Sequence, residues 1–324
     1  MGRHTAQVSS VTHDRGRLVF GADGGGTKTL GILAGGAGEE LARAQAGPSN
    51  QNVVGTRAAA KNLATLMAQC CRDAGRATSE IGSAVFGLAG AGSMEEREAL
   101  VAAVNGELTA LGEVPVSGAV ETDARIALEG AFDGGPGVVV IAGTGSVVIA
   151  KSASGELLRL GGWGRVLGDE GSGYFLGLQA LKSLTRDFDG MATSGCLRAA
   201  LAAKFGWTTR EALITAVYRG GLEIPRIAPL VLDAAAAGDA VAVGILRSAS
   251  ALLADQVAAT VEQLGVGAGA GVVFVGGLID HESSYAGLLR EAIIARCSRA
   301  EVRPPLHPPV VGAVLMACAR LKEA

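Results

Sequence analysis

The sequence predicts an α/β protein built from two similar domains. One order of elements (strand, glycine turn, strand, short hairpin, strand) occupies residues 18–46 and recurs over residues 137–162. In each half a later apolar strand ends in glycines, at 83–92 and at 270–279. The length of 324 residues also suits two domains better than one. We therefore expect a structural duplication, in which each domain opens with a three-stranded antiparallel meander and continues with helix-linked strands.

Local signals justify the remaining elements of the first half. Apolar residues at helical spacing predict a helix within 54–75, ended by Gly75. A second helix is expected from Ser93, which together with Glu96 has the spacing of a capping box. Residues 115–132 then predict a strand, a turn and a helix.

The second half differs from the first by an additional helical block at about 172–264. The last helix of this block carries an apolar stripe at i, i+3, i+4 spacing. A further helix is expected at 309–324, after a proline-rich break. Residues 1–16 are polar and without an apolar signal core, which predicts a disordered tail.

Composition excludes several functional classes. The net charge is −3 and no basic run is present, so we expect neither nucleic acid nor a membrane as a partner. No apolar run reaches the roughly 18 to 20 residues of a membrane helix. The cysteine number is odd and no CxxC pair occurs, which favours reduced thiols in a cytoplasmic protein. These cysteines are Cys70, Cys71, Cys196, Cys297 and Cys318.

The stretch "DGGGTKT", residues 23–29, resembles a phosphate-binding turn but fits neither the Walker nor the dinucleotide pattern. A strand follows it, so its backbone N–H groups would form an anion nest between two strands, with a hydrogen bond from Thr27. Asp23 would reach a metal ion or its water rather than a bare phosphate. Lys28 alternates away from Thr27 and is expected to face solvent. The alternative is a tight hairpin turn without a ligand.

A second glycine turn, "AGTGS" at 142–146, occupies the same place in the second repeat. If the domains pack as a pseudo-symmetric pair, the two turns would clamp a nucleoside triphosphate in the cleft between them. The alternative is a duplicated hairpin without function. Asp123 stands directly after a predicted strand and could act as a general base for a hydroxyl group, or it could simply cap the helix that follows.

Three further stretches offer ligand contacts. In "GGWGRVLGDEGSG", residues 161–173, Trp163 could stack on a sugar face and Asp169 could accept hydrogen bonds from its hydroxyls; the alternative is a surface loop whose Glu170 and Ser172 cap the next helix. Asn50 in "GPSNQN" suits sugar hydroxyls, or ordinary turn chemistry. The glycine pair 276–277 would let an adenine ring approach the backbone, or forms a plain strand-to-helix turn.

Together these motifs, in this order, resemble the N-acetylglucosamine kinase branch of the sugar kinase, heat-shock chaperone and actin superfamily, also named the BadF/BadG/BcrA/BcrD ATPase family. The resemblance rests on "GADGGGTKT", "GPSN", "TDA", "IAGTGS", "GGWGRVLGDEGSG" and "VFVGGL" and spans roughly residues 18 to 322. It implies two ribonuclease-H-like (actin-like ATPase) domains with a cleft between them. The domains would be 17–134, joined by the last helix 309–324, and 135–308.

The resemblance also implies a role for each site residue. Asp23 would hold magnesium, and Asp123 would take the proton of the sugar 6-hydroxyl. Gly277 would lie near the adenosine of ATP, and Arg165 stands where the family varies. ATP would contact Gly24, Gly25, Gly26, Thr27, Gly143, Thr144, Gly145, Ser146, Gly276 and Gly277. The sugar would contact Asn50, Asp123, Trp163, Gly164, Arg165 and Asp169.

The expected activity is ATP- and Mg²⁺-dependent phosphorylation of the 6-hydroxyl of an amino sugar, N-acetylglucosamine first, by a cytoplasmic homodimer. A glucosamine kinase is the nearest alternative. An ATPase activator of radical dehydratases or reductases is another, although it needs cysteines placed to hold an iron–sulfur cluster across a dimer. A sugar-responsive repressor would need a helix-turn-helix domain, which 16 polar residues cannot form.

Overall fold

A computed structural model describes residues 17–191, 195–265, 271–279 and 283–323. Within them the chain forms two compact units. The first contains the described residues up to Gly134 together with those from Leu306 onward, and the second is Gly135–Pro305. The expected tail at 1–16 lies outside the described residues.

The strands are β1 (Leu18–Gly24), β2 (Thr29–Gly35), β3 (Glu40–Ala46), β4 (Ile81–Leu88), β5 (Gly118–Thr122), β6 (Gly137–Ala142), β7 (Ser146–Lys151), β8 (Leu157–Gly161), β9 (Gly271–Val275) and β10 (Glu301–Val302). The helices are α1 (Gln51–Val54), α2 (Thr56–Asp73), α3 (Met94–Ala110), α4 (Asp123–Ala131), α5 (Gly173–Phe188), α6 (Gly195–Phe205), α7 (Arg210–Tyr218), α8 (Ala228–Ala236), α9 (Ala240–Gln263), α10 (Ser284–Arg296) and α11 (Pro309–Glu323).

The two sheets share one topology. The first has the order β3-β2-β1-β4-β5, and the second has β8-β7-β6-β9-β10. In both, the first three strands in sequence pair antiparallel, while the fourth and fifth join as parallel strands. The duplication predicted from the order of elements is therefore present in the backbone topology, and the mixed α/β fold class is confirmed.

Helices cover both faces of the first sheet because side chains alternate along β1. Leu18, Phe20 and Ala22 point into a core formed with α2 and α3. Val19 points the other way, into a core formed with α4 and α11. Two predicted helix boundaries are also confirmed. Gly75 follows α2 with a φ of 64°, and the capping box of Ser93 begins α3.

The second unit contains the predicted helical block as α5 to α9. Its last helix, α9, is the one helix in the described part of the chain that is long and apolar enough to cross a membrane, by length and composition alone. The search of the sequence for uninterrupted apolar runs did not indicate it. In the structure, α9 buries a stripe that includes Leu246, Leu253 and Val257 in the core of this unit, as the predicted i, i+3, i+4 pattern requires.

Candidate active site

Two acidic residues meet at one edge of the first sheet. Gly24 of β1 pairs with Leu88 of β4, which in turn pairs with Thr122 of β5, so three parallel strands end side by side. Asp23 precedes the end of β1, and Asp123 follows the end of β5. The carboxyl ends of parallel strands are where open α/β sheets bind ligands.

The two carboxylates interact electrostatically. The pKa of Asp23 is raised from 3.8 to about 6. Burial is the main cause, the nearby Asp123 carboxylate adds to it, and Lys28 opposes both effects. Lys28 is exposed, as expected, but it lies in the turn before β2 and Thr27 beside it is exposed too, so alternation along a strand is not the reason. Its charge nevertheless acts on Asp23. A bound cation would relieve the cost of holding an ionised carboxylate here.

Asp123 is the first residue of α4 rather than its cap. The capping residue is Thr122, whose hydroxyl accepts a hydrogen bond from the amide of Arg125 at 3.1 Å. One oxygen of the Asp123 carboxylate accepts from the amide of Ala124 at 2.8 Å. The alternative in which Asp123 serves as the helix cap is therefore wrong, and its exposed carboxylate can reach a ligand at this edge.

The first glycine turn connects β1 to β2, as the sequence predicts. The amide of Gly25 closes the turn on the carbonyl of Lys28 at 3.0 Å, and the carbonyl of Gly25 accepts from the amides of Ser49 and Asn50. Gly26 and Thr27 form the exposed tip. A side chain at Gly24 would overlap the hydroxyl of Ser49, so this glycine is required by packing whether or not an anion binds.

Asn50 lies beside this turn at the start of α1. Its side-chain oxygen accepts from the amide of Asn52 at 2.9 Å, which is the turn chemistry weighed as its alternative role. Its side-chain amide nitrogen can still donate to a ligand, because capping uses only the oxygen. Gly90, at the end of the segment after β4, keeps the space next to Asn50 free: an added Cβ would come within 2.7 Å of Oδ1.

The second glycine turn connects β6 to β7 and is fixed to the start of α5. The amide of Gly173 donates to the carbonyl of Gly143 at 2.7 Å, and the amide of Tyr174 donates to the carbonyl of Thr144 at 3.3 Å. Two backbone N–H groups at the start of α5 thus donate to carbonyl groups of the second glycine turn. Ser146 is buried, and its hydroxyl donates to the carbonyl of Glu170 at 2.7 Å, so this hydroxyl holds the neighbouring loop.

The loop at 161–173 places Asp169 directly against the second turn. An added Cβ at Gly145 would lie 3.0 Å from the Asp169 carboxylate. Asp169 is buried and has a φ of 59°, which a residue other than glycine adopts only where its surroundings hold it. Ser172 caps α5 through the amide of Phe175. Glu170 does not cap it: its carboxylate accepts from Gln256 of α9 at 3.2 Å.

Four predicted site residues line one pocket of about 910 Å³ in the second unit. They are Thr144, Gly145, Arg165 and Asp169. Residues between Val217 and Arg226, which carry no sequence motif, also line it. A pocket of this size accommodates a sugar or a nucleotide.

The remaining predicted residues take several positions. Trp163 is 74% exposed on the same loop as Asp169, so its indole face is open to a ligand. Gly164 beside it has a φ of 83°. Gly276 follows β9 with a φ of 113°, and a side chain there would overlap the carbonyl of Ala142. Gly277 has open space around it, with no atom within 4 Å of an added Cβ.

Sequence reasoning missed the residues that support this loop from a distance. The guanidinium of Arg165 lies 6.0 Å from the ring centre of Tyr174, a cation–π contact between the loop and the start of α5. Tyr285 donates to the carbonyl of Gly171 at 2.7 Å. A tyrosine in a helical pattern gives no local sign of such a contact.

The chain matches the family model described as "BadF/BadG/BcrA/BcrD ATPase family" over residues 20–317. The protein belongs to this family. The resemblance drawn from the motifs is thereby confirmed.

Two relatives and one solved structure sharpen the comparison. The chain is 32% identical over 251 residues to an N-acetylmuramic acid/N-acetylglucosamine kinase of Clostridium acetobutylicum, covering 76% of this chain and 80% of that protein. It is 30% identical to an N-acetyl-D-glucosamine kinase of Dictyostelium discoideum, covering 93% and 97%. A crystal structure from Chromobacterium violaceum, assigned as an N-acetylglucosamine kinase, superposes with a TM-score of 0.69 at 28% identity, covering 93% and 99%. The enzyme class expected from the motifs, a sugar kinase, is the class of these relatives.

Proposed function

We propose that the protein transfers the γ-phosphoryl group of ATP to the 6-hydroxyl of an amino sugar, with N-acetylglucosamine as the preferred acceptor. The observation that carries this proposal is the pair of carboxylates, Asp23 and Asp123, beside the first glycine turn at the carboxyl edge of β1, β4 and β5. The relatives of known name support the class of acceptor.

Asp123 is the proposed base. Its carboxylate is exposed, and the bond from the amide of Ala124 fixes its direction. As the sugar oxygen attacks the γ-phosphorus, the hydroxyl proton passes to Asp123 and the bond to the β–γ bridging oxygen breaks, releasing ADP. The glycine turns at 24–27 and 143–146 would hold the phosphates, while Asp169 and Trp163 would orient the sugar.

The residues at this edge fit a magnesium ion. Carboxylate oxygens are its preferred protein ligands, and the pKa of Asp23, raised by burial and by Asp123, supports a positive partner at this edge. No group of three or more His, Cys, Asp or Glu side chains that could hold a metal occurs in the described ranges. Water and phosphate oxygens would therefore complete the shell around a metal that Asp23 binds. When bound with ATP, the ion would neutralise phosphate charge.

The activator alternative finds little support in the cysteines. Cys70 and Cys71 lie on α2 in the core of the first unit, where burial raises the pKa of Cys70 to about 11 and that of Cys71 to about 12. Iron–sulfur ligands are thiolates, which this burial disfavours. Iron and labile sulfide in the purified protein would overturn the kinase proposal.

A sugar panel with Mg²⁺ and ATP tests the function. N-acetylglucosamine, N-acetylmuramic acid, glucosamine, N-acetylmannosamine and glucose would each be assayed by ADP release, and the product would be mapped by NMR. We expect the highest kcat/KM for N-acetylglucosamine and a product phosphorylated at the 6-position. Turnover of glucosamine alone would favour the alternative acceptor, and no turnover of any sugar would refute the proposal.

We also propose that the enzyme acts in the cytoplasm as a homodimer. All five cysteines are free thiols in the structure, as expected of a reducing compartment. Light scattering of the purified protein tests the dimer, and a monomer at micromolar concentration would contradict it.

A further inference from the structure

Tyr285 is a buried tyrosine, and packing alone would not require its hydroxyl group. It lies in the first turn of α10, is 0% exposed and belongs to the core of the second unit. Its hydroxyl donates to the carbonyl of Gly171 at 2.7 Å, across 114 residues of sequence. A buried hydroxyl needs such a partner, and a phenylalanine would fill the same space without one.

Gly171 lies in the loop at 161–173 with a φ of 79°, which glycine adopts without strain. Asp169, two residues earlier, has a φ of 59°, which a residue with a side chain adopts only at a cost. A Cβ at Gly171 would lie 2.8 Å from the Tyr285 hydroxyl and 2.5 Å from Leu253, so the backbone of the loop packs directly against the core here. Backbone held in such conformations persists only where its surroundings fix it.

We propose that Tyr285 is a positioning residue for the sugar. By fixing the Gly171 carbonyl, it keeps the Asp169 carboxylate at the pocket wall beside Gly145. This inference rests on the proposed function, in which Asp169 contacts the sugar. Gln256 is a second anchor, since its Nε2 donates to the Glu170 carboxylate at 3.2 Å.

The same contact matters less to the second glycine turn. That turn bonds to the start of α5 at Gly143, but its own hairpin also holds it: Ala142 pairs with Ser146, and the amide of Gly143 donates to the carbonyl of Gly145 at 2.9 Å. Loss of the Tyr285 hydroxyl would therefore loosen the sugar side of the pocket more than the phosphate turn. This asymmetry distinguishes positioning from general stabilisation.

The test is Tyr285→Phe, with Thr260→Val as its matched control. Thr260 is equally buried, and its hydroxyl donates to the carbonyl of Gln256 at 2.7 Å within α9. We expect Tyr285→Phe to raise the KM for the sugar about 5- to 10-fold and the KM for ATP less than about 2-fold. Thr260→Val should lower thermal stability similarly and change neither KM. An equal rise in both KM values, or an unchanged sugar KM, would overturn the proposal.

Two further measurements keep the test decisive. Gln256→Met leaves the aromatic core intact and should also raise the sugar KM selectively. Hydrogen exchange in the ligand-free protein should become about 5- to 10-fold faster at the amide of Ser172 in Tyr285→Phe, because this amide bonds to the carbonyl of Asp169 within the loop. The amide of Gly173, which bonds to the second glycine turn at Gly143, should change less. Unchanged exchange would overturn the anchoring itself. Absence of sugar turnover in the natural protein would refute the proposed function and leave the exchange result standing.

Discussion

Replacing Asp23 with asparagine should stabilise the protein while it removes activity. Burial and the neighbouring Asp123 raise the pKa of Asp23 from 3.8 to about 6. That difference of about 2.2 pH units, at roughly 1.36 kcal/mol each, means that the ionised carboxylate lowers the stability of the fold by about 3 kcal/mol. Asparagine keeps the shape of the carboxyl group and has no charge to desolvate.

The sign of the pH dependence follows from linkage. Below pH 3.8 the carboxyl group is protonated in both states, so Asp23→Asn should change nothing. As the pH rises to about 6, the unfolded state ionises first and the natural protein loses stability. The gain of the variant should therefore be about 3 kcal/mol at pH 7.5 and roughly half of that at pH 5.

Amide hydrogen exchange of β1 and β4 is the assay, because it reports on the first unit separately from the second. Both proteins would be compared at the same pH, without metal or nucleotide. Glu98→Gln, which removes one exposed charge from α3, is the control and should change stability by less than about 0.5 kcal/mol. A gain below that size at pH 7.5, or a gain that does not grow between pH 5 and pH 7.5, would refute the buried-carboxylate argument.

Three other substitutions test the site and its scaffold. Asp123→Asn should abolish turnover, leave ATP affinity by calorimetry within about 3-fold, and lower the pKa of Asp23 in an NMR titration; near-native phosphorylation would require another base. Gly24→Ala should cost about 1–3 kcal/mol in denaturant unfolding, because its Cβ would overlap the Ser49 hydroxyl. Gly312→Ala should cost as much or more, since backbone atoms of α4 occupy that space, whereas Gly106→Ala in α3, with nothing within 4 Å, should be neutral or stabilising.

The sequence predicted the topology well because its signals are local. Strand alternation and the glycine turns at 24–27 and 143–146 place each hairpin, and the repeat of this order implies the shared sheet order. The pair Thr122–Asp123 shows the limit of such reasoning. Both residues can cap a helix, and only the backbone decides: Thr122 has the extended ψ of 151°, while Asp123 is already helical.

The sequence did not predict which side chains form hydrogen bonds between segments that are far apart in the chain. Ser146 was expected to contact ATP as part of the second glycine turn, but its hydroxyl donates to the Glu170 carbonyl. The bond from Tyr285 to Gly171 spans 114 residues and leaves no periodic or spacing signal. Such bonds depend on where helices of the same unit pack, which the hydrophobic pattern constrains only loosely.

Lys28 shows that an exposed side chain can still influence the first glycine turn electrostatically. The expected exposure of its side chain is observed, although Lys28 lies in the turn rather than on a strand. Exposure does not remove its charge from the site, because Lys28 lowers the pKa of Asp23. Asp123 helps to raise the pKa of Asp23, so the two carboxylates repel each other at this edge. A divalent cation bound there would offset their negative charge and make the edge attractive to a triphosphate. Without the cation, the same carboxylates would repel the phosphates, so nucleotide affinity at this edge should depend on magnesium.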